Sequence, residues 1–342
     1  MLHQPDLLTR QLTAKVGIVK FLGVLLLLVL LAVGGAAWLV YTPVTPPGGV
    51  FIDFPSGTTS SEMAQKLQDA GIIHSRYAFL LTRIWKGGSL KAGEYRFADP
   101  ANVQTVYSRI RRGDVYTLAV TIPEGYNLFD IAGAIEAAGL GSRAAFLQAA
   151  HTNTDLIAAW SPSATSLEGY LFPDTYRFSH HSTPRLMQET MVRRFRTEAT
   201  LLGLASAKNI ARTVTMASLV EKEVHFDDER ALAAGVFENR LTRGMPLQTD
   251  PTVIYAAMLN NRWTGVIHRS DLDYDSPYNT YRHGGLPPGP ICSPGAAALR
   301  AAIHPATTDK LYFVANGTGH TEFSTGLKEH TEKVTAYRRS LR

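Results

Sequence analysis

Residues Phe21 to Tyr41, FLGVLLLLVLLAVGGAAWLVY, run for 21 positions without a charge. As a helix at 1.5 Å per residue, such a run spans roughly the 30 Å of bilayer hydrocarbon. It is therefore expected to be a transmembrane helix, and the rest of the chain must fold apart from it. Trp38 and Tyr41 close the run, where amphipathic rings suit the headgroup layer. Arg10, Lys15 and Lys20 precede it against Asp6 alone. The positive-inside bias puts residues 1–20 in the cytoplasm and residues 42 onward outside. A cleaved signal peptide, with GGAA as a small-residue cleavage site, is the other reading. The apolar core exceeds the 7–15 residues usual for such signals. Either way the bulk of the chain is exported.

Beyond residue 20, 31 basic residues stand against 28 acidic ones, a net charge of +3. That near-neutrality argues against nucleic acid as a partner, which needs a clustered basic face. The 342 residues are 45% hydrophobic and 18% charged, enough apolar material for two or more cores. Cys292 is the only cysteine, so neither an internal disulfide nor a thiolate metal cluster is available.

A Pro/Gly tether, TPVTPPGG (42–49), follows the apolar run, and an internal repeat follows the tether. Residues 54–80 and 122–147 align almost without gaps: Pro55 with Pro123, Gly57 with Gly125, Ala64 with Ala132, Ala70-Gly71 with Ala138-Gly139. Ser75-Arg76 and Phe79 then match Ser142-Arg143 and Phe146 after a one-residue slip. Each copy reads as a strand (Val50–Phe54; Leu118–Ile122), a turn, a helix closed by glycine and a second helix. The first copy continues through a short strand in LKAGEYRF (90–97) and a helix over about 103–112. Such strand-helix-helix-strand units resemble LysM modules, which grip N-acetylated sugar polymers; a plain α+β linker domain is the alternative. Farther on, helices are expected over about 184–202, 206–225, 228–243 and 294–303, with a hairpin over 311–324.

The helix containing ASLVEKEVHF (217–226) carries two glutamates around Lys222. On a wheel at 100° per residue, Glu221 falls among Val214, Ala217, Val220 and Val224. Glu223 lies at the sector's edge between Met216 and Leu219, and Lys222 points away with Ala211, Thr215 and Ser218. Carboxylates so placed need partners, such as Arg230 or Arg240 on the next helix, or raised pKa values. The wheel does not rank the two. MPLQTDPTVIYA sets Gln248, Thr249 and Asp250 ahead of a helix, with Asp-Pro as N-cap and first position. YNTY (278–281) offers aromatic faces and polar side chains of the kind that bind sugars. HExxH, GxSxG and phosphate-cradling glycine motifs are absent, and no metal site is expected.

LKAGEYRF, LEGYLFPDTY, MASLVEKE, GMPLQTDPTVIYA, YNTY with GLPPGPI, and LYFVANGTGHTEFS lie in order between residues 90 and 324. Together they resemble the MltG/YceG-like endolytic murein transglycosylases. The resemblance implies Glu223, second in EKE, as the catalytic acid, and Glu221 as structural. Gln248, Asp250, Tyr278, Asn279 and Tyr281 are the candidate substrate contacts; Glu168 is expected on the cleft wall orienting substrate, or else as a buried structural partner held by an arginine clamp. Val224 departs from the Ser or Thr common after the catalytic glutamate in wider lytic transglycosylases. In the family reaction the muramic acid's own C6 hydroxyl attacks C1, so one carboxyl suffices where ordinary glycosidases use two. No cofactor is implied.

The expected architecture is α+β. It comprises a cytoplasmic N-terminus (1–20), a transmembrane helix (21–41), a linker (42–49), a LysM-like domain (50–117) and a catalytic domain (118–342). Residues 118–150 of the last repeat the LysM-like strand-helix pattern. The expected activity is endolytic cleavage of the MurNAc-GlcNAc bond in nascent peptidoglycan strands, leaving 1,6-anhydroMurNAc ends. The implied setting is the inner membrane, facing the periplasm, beside peptidoglycan synthases (penicillin-binding proteins). The rivals are a hydrolase with Glu223 as acid and Glu168 as base, and a non-catalytic peptidoglycan-binding scaffold.

Overall fold

The computed structural model describes residues 7–46, 48–204 and 209–340. The first six residues of the expected cytoplasmic segment, Pro47 of the linker and the start of the helix expected from about 206 lie outside them. The fold is α+β, in two compact units, Met1–Thr117 and Leu118–Arg342.

The first unit opens with α1 (Leu7–Tyr41), which includes a 22-residue stretch, Lys20–Tyr41, long and apolar enough to cross a bilayer. After it, Val44 and Ala101 exchange two backbone hydrogen bonds of 3.0 Å, so this segment is tied down at its middle. Then come β1 (Val50–Phe54), α2 (Ser60–Asp69), α3 (Arg76–Lys86), β2 (Gly93–Phe97) and α4 (Val103–Arg112). Strands β1 and β2 pair antiparallel, Val50 opposite Phe97 and Phe54 opposite Gly93. Their inward residues join Leu67, Phe79, Tyr107 and Ile110 in one core.

The second unit begins with β3 (Leu118–Ile122), α5 (Leu128–Ala137), α6 (Arg143–Thr152) and a single 3-10 turn (Thr154–Ile157). It continues with β4 (Asp174–Phe178) and α7 (Pro184–Leu201). The helices α8 (Ile210–Glu223), α9 (Asp227–Thr242), α10 (Asp250–Leu259), α11 (Arg269–Leu272) and α12 (Ala296–Ile303) follow. A hairpin of β5 (Tyr312–Ala315) and β6 (Thr321–Ser324) leads into α13 (Leu327–Ser340).

Both repeats start their first helix with a reciprocal cap, Thr59 with Glu62 and Asn127 with Asp130. Gly71 and Gly139 follow those helices at φ +65° and +73°, a left-handed conformation that costs glycine least. The likeness extends to a strand that alternation alone did not reveal. β4 pairs antiparallel with β3 in the register that β2 adopts on β1, Leu118 opposite Phe178 and Ile122 opposite Asp174. The closing strands carry Tyr95-Arg96-Phe97 and Tyr176-Arg177-Phe178, with the aromatics buried and stacked at 6.3 and 5.9 Å.

Helix α8 is the axis of the second unit, with α9, α10 and α12 packed around it. Every residue from Val214 to Val220 is buried, including the Thr215/Ser218 side that the wheel grouped with outward-pointing Lys222. That side is covered because Ser218 Oγ donates to Thr215 O at 2.8 Å and accepts from Ile291 N at 3.1 Å. The loop before α12 thus lies on the helix and satisfies its polar groups. Lys222, one turn farther on, is exposed and donates to Gly125 O at 3.3 Å.

Gly169 shows how closely that loop is fitted. Its φ is +84°, and a Cβ there would stand 2.5 Å from the Pro290 ring and 3.1 Å from Val214. Gly169→Ala is expected to cost roughly 1–3 kcal/mol, seen as a lower urea midpoint with an unchanged slope.

Candidate active site

Glu223 is the last residue of α8, where the chain turns extended at Val224. Its half-buried carboxyl lines a cleft of about 310 Å³ within the second unit. Arg240 enters from α9, residues 247–250 from the segment leading into α10, and Tyr281 from the loop beyond α11. Tyr312 and Phe313 of β5 and His330 of α13 complete the lining.

The 247–250 segment differs from its expected form by one position. Thr249, not Asp250, is the N-cap of α10, and Asp250 and Pro251 are the first two helical residues. Thr280 dictates this: its O accepts from Gln248 N at 3.2 Å and its Oγ1 from Thr249 N at 3.0 Å. The clamp holds Gln248 at φ +54°, a strained conformation for a residue with a side chain, of the kind that concentrates at functional sites. Asp250, released from capping, accepts from Tyr281 Oη at 2.7 Å.

Within the cleft, the surroundings of Glu223 favour its protonated form. Burial, and then the charge of Asp250, push its pKa up to about 7. The Thr249 hydroxyl is buried without a hydrogen bond of standard geometry, and its nearness to Glu223 pulls the value part of the way back. Thr249 therefore brings a hydroxyl to the carboxyl where position 224 has none. Arg240 opposes the rise more weakly because its guanidinium is committed elsewhere. It donates to Leu311 O (2.8 Å), Leu247 O (2.7 Å) and Pro246 O (3.2 Å), over the Tyr312 ring. Burial lowers the pKa of His330, helped by Arg240 and Lys333; its ring stacks on Tyr312 at 5.2 Å and its buried Nδ1 has no hydrogen-bond partner among the described residues.

Glu221, two residues away, is differently placed. Its Oε2 lies 3.0 Å from Arg230 Nη1 and accepts from Gly295 N at 3.0 Å, tying α8 to α9 and to the start of α12. One glutamate is bound to a structural arginine and the other faces an open cleft, a distinction invisible on the wheel.

A family model described as the YceG-like family matches residues 52–336. The chain belongs to the YceG-like family. Among its relatives, the endolytic murein transglycosylase of Bacillus subtilis (strain 168) is 34% identical over 307 residues, 84% of each chain. The endolytic murein transglycosylase of Streptococcus pneumoniae (serotype 2, strain D39 / NCTC 7466) is 31% identical over 317 residues. That match takes in 83% of this chain but 58% of the pneumococcal protein. A crystal structure of a YceG-like protein from Listeria monocytogenes matches with a TM-score of 0.53 at 32% identity, covering 83% of this chain and 98% of that one.

Within this YceG-like chain, Gln248, Asp250 and Tyr281 stand on the cleft with Glu223, and three other expected contacts do not. Asn279 is fully buried. Its Nδ2 donates to Asp271 O, Leu272 O and Tyr274 O, and its Oδ1 accepts from Tyr281 N at 3.0 Å. It shapes the loop that presents Tyr281 and has nothing left for a ligand. Tyr278 packs on Tyr255 at 5.1 Å, and burial pushes its hydroxyl up to about 12. Glu168 is 3% exposed, with Oε2 accepting from Leu128 N (3.0 Å) and Tyr255 Oη (2.9 Å) and Oε1 without a hydrogen-bond partner among the described residues. Burial pushes its pKa up to about 7, but it does not line the cleft. Tyr255 and the Leu128 amide hold it, in place of the arginine clamp expected of a structural Glu168.

Proposed function

We propose that this chain is an endolytic lytic transglycosylase that cleaves MurNAc-GlcNAc bonds within nascent peptidoglycan strands and leaves 1,6-anhydroMurNAc ends. The observation that carries the reading is Glu223, a carboxyl raised to about 7 in a cleft that offers polar and aromatic side chains. A group with that pKa is protonated often enough near neutrality to act as an acid and is then a competent base. Glu223 gives its proton to the leaving glycosidic oxygen. The C6 hydroxyl of the same muramic acid closes on C1, and its proton returns to the Glu223 carboxylate. The cycle balances with no water and no cofactor. Burial and the charge of Asp250 favour the protonated form of Glu223, while Tyr281 offers a ring face to sugars.

In this reading α1 anchors the enzyme in the inner membrane with residues 42 onward in the periplasm. The first unit acts as a LysM-like glycan-binding module and residues 118–342 as the catalytic domain. The partners are peptidoglycan synthases, whose growing strands the enzyme terminates during cell wall biogenesis. The names of the Bacillus and Streptococcus relatives support the substrate class.

Digestion of purified glycan strands by residues 42–342, with product masses, tests the reaction. Fragments one water lighter than hydrolytic products are expected. Reducing ends would identify a hydrolase, and bound but uncut strands a scaffold. The role of Asp250 has its own signature. Asp250→Asn removes the charge that helps raise Glu223, so the alkaline limb of the kcat/KM profile is expected to move to lower pH.

A further inference from the structure

Helix α3 has two apolar faces, and the core uses one. At 100° per residue, Ala78, Phe79 and Thr82 make up the buried sector. Ile84, Tyr77, Leu81 and Trp85 make up a second sector roughly 100° wide. All four are exposed, Ile84 at 81% and Trp85 at 73%. Arg76, Arg83 and Lys86, with the part-buried Leu80, complete the wheel. A contiguous exposed patch of this kind marks a surface that something covers.

Its position says what covers it. Leu81 and Trp85 line a groove whose other wall is Val33, Ala36 and Val40 of α1. Trp38 stacks on His74, just ahead of α3, at 4.7 Å, and Leu39 and Val40 pack against the core of the same unit. The last turns of α1 are therefore fixed beside α3 by packing rather than joined to it by a free tether. Val33 precedes Tyr41 by about 12 Å of helix, so with α1 across a bilayer it lies within the hydrocarbon. Side chains that share a groove with Val33 and Ala36 lie at a similar depth.

We propose that α3 lies in the membrane interface beside the end of the span, with Tyr77, Leu81, Ile84 and Trp85 entering the leaflet. Arg76, Arg83 and Lys86 stay at its headgroups. Leucine and isoleucine suit the acyl region, tyrosine and tryptophan the headgroup boundary, and the basic residues attract anionic lipid. The first unit is then seated on the bilayer at two points. This inference rests on reading α1 as a span, and its test separates the two.

Cys292 is the only cysteine and is fully buried, so the unsubstituted full-length protein serves as the labelling blank. An environment-sensitive fluorophore is placed on Val33→Cys and, separately, on Ile84→Cys. Each protein is reconstituted in phosphatidylethanolamine/phosphatidylglycerol vesicles. Both labels are expected to lose most of their emission to lipid-borne nitroxide and little to aqueous iodide. Loss at Val33 to lipid but at Ile84 to iodide overturns the inference and leaves the span intact. An Ile84 label shielded from both quenchers means a protein covers the face, and also overturns it. A Val33 label outside lipid overturns the span itself and this inference with it. Without any label, Trp85→Phe is expected to reduce the share of tryptophan emission quenched by brominated lipid; an unchanged share contradicts the proposal.

Discussion

Glu223→Gln is expected to reduce strand cleavage by about 10²–10⁴-fold, the range that a positioned general acid-base contributes. Glutamine preserves the shape of the side chain and can neither deliver the proton nor take one back, so both halves of the cycle fail. Folding serves as the control, and its sign can be worked out. The carboxyl titrates near 4.5 when unfolded and about 7 when folded, so its stabilising contribution is complete below 4.5 and lost as pH rises toward 7. A glutamine has nothing to lose over that window. The variant should therefore unfold no more easily than wild type, and its relative stability should improve between pH 4.5 and 7. In the wild type, kcat/KM should fall about tenfold per pH unit well above 7, as the acid form disappears. Near-normal cleavage by a well-folded Glu223→Gln protein would sink the mechanism.

What the sequence disclosed and what it hid divide along physical lines. Strands β1 and β3 were legible because apolar residues alternate between turn signals. Strand β4 alternates as well, with Tyr176 and Phe178 inward. The residues between α6 and β4 delay the closing strand of the second repeat, so its pairing with β3 is non-local. The recurrence of Tyr-Arg-Phe at 95–97 and 176–178 was the signal available for finding it. At the site, Gln248, Asp250 and Tyr281 could be nominated from residue type. Asn279 could not be told from them, because a buried asparagine and a sugar-binding one look alike until their hydrogen bonds are counted. Arg240 could be named as an ion-pair candidate but not as cleft lining, since backbone carbonyls decide where it points, two just beyond its own helix and one, of Leu311, far along the chain. His330 had no local signal. It sits on a strongly polar helix after the hairpin, and only the stacking on Tyr312 brings it to the cleft.

Glu221→Ala is expected to cost about 3–5 kcal/mol, the range for removing one partner of a buried ion pair. Both side chains of the Glu221–Arg230 pair are 6% exposed, and the remaining partner of Arg230, Asp227, is 76% exposed and well solvated. Losing Glu221 therefore leaves a buried guanidinium with the solvated Asp227 as its ion-pair partner and Glu124 acting at longer range, and strips the Gly295 amide of its acceptor. One effect runs the other way. Burial, and then Glu221, raise the pKa of nearby Glu124, and that second contribution disappears in the variant. The relief is secondary because burial is the larger cause, so net destabilisation is expected. Glu221→Gln keeps an acceptor for Gly295 and should cost less. Replacing both partners together, as Glu221→Leu with Arg230→Met, should recover much of the loss, because no charge is then stranded. Urea midpoints of the four proteins measure this, and cleavage rates at a temperature where all are folded complete the test. A structural Glu221 predicts that Glu221→Gln loses stability far more than rate. A Glu221→Gln protein of normal stability and no activity would transfer the catalytic role from Glu223 to its neighbour.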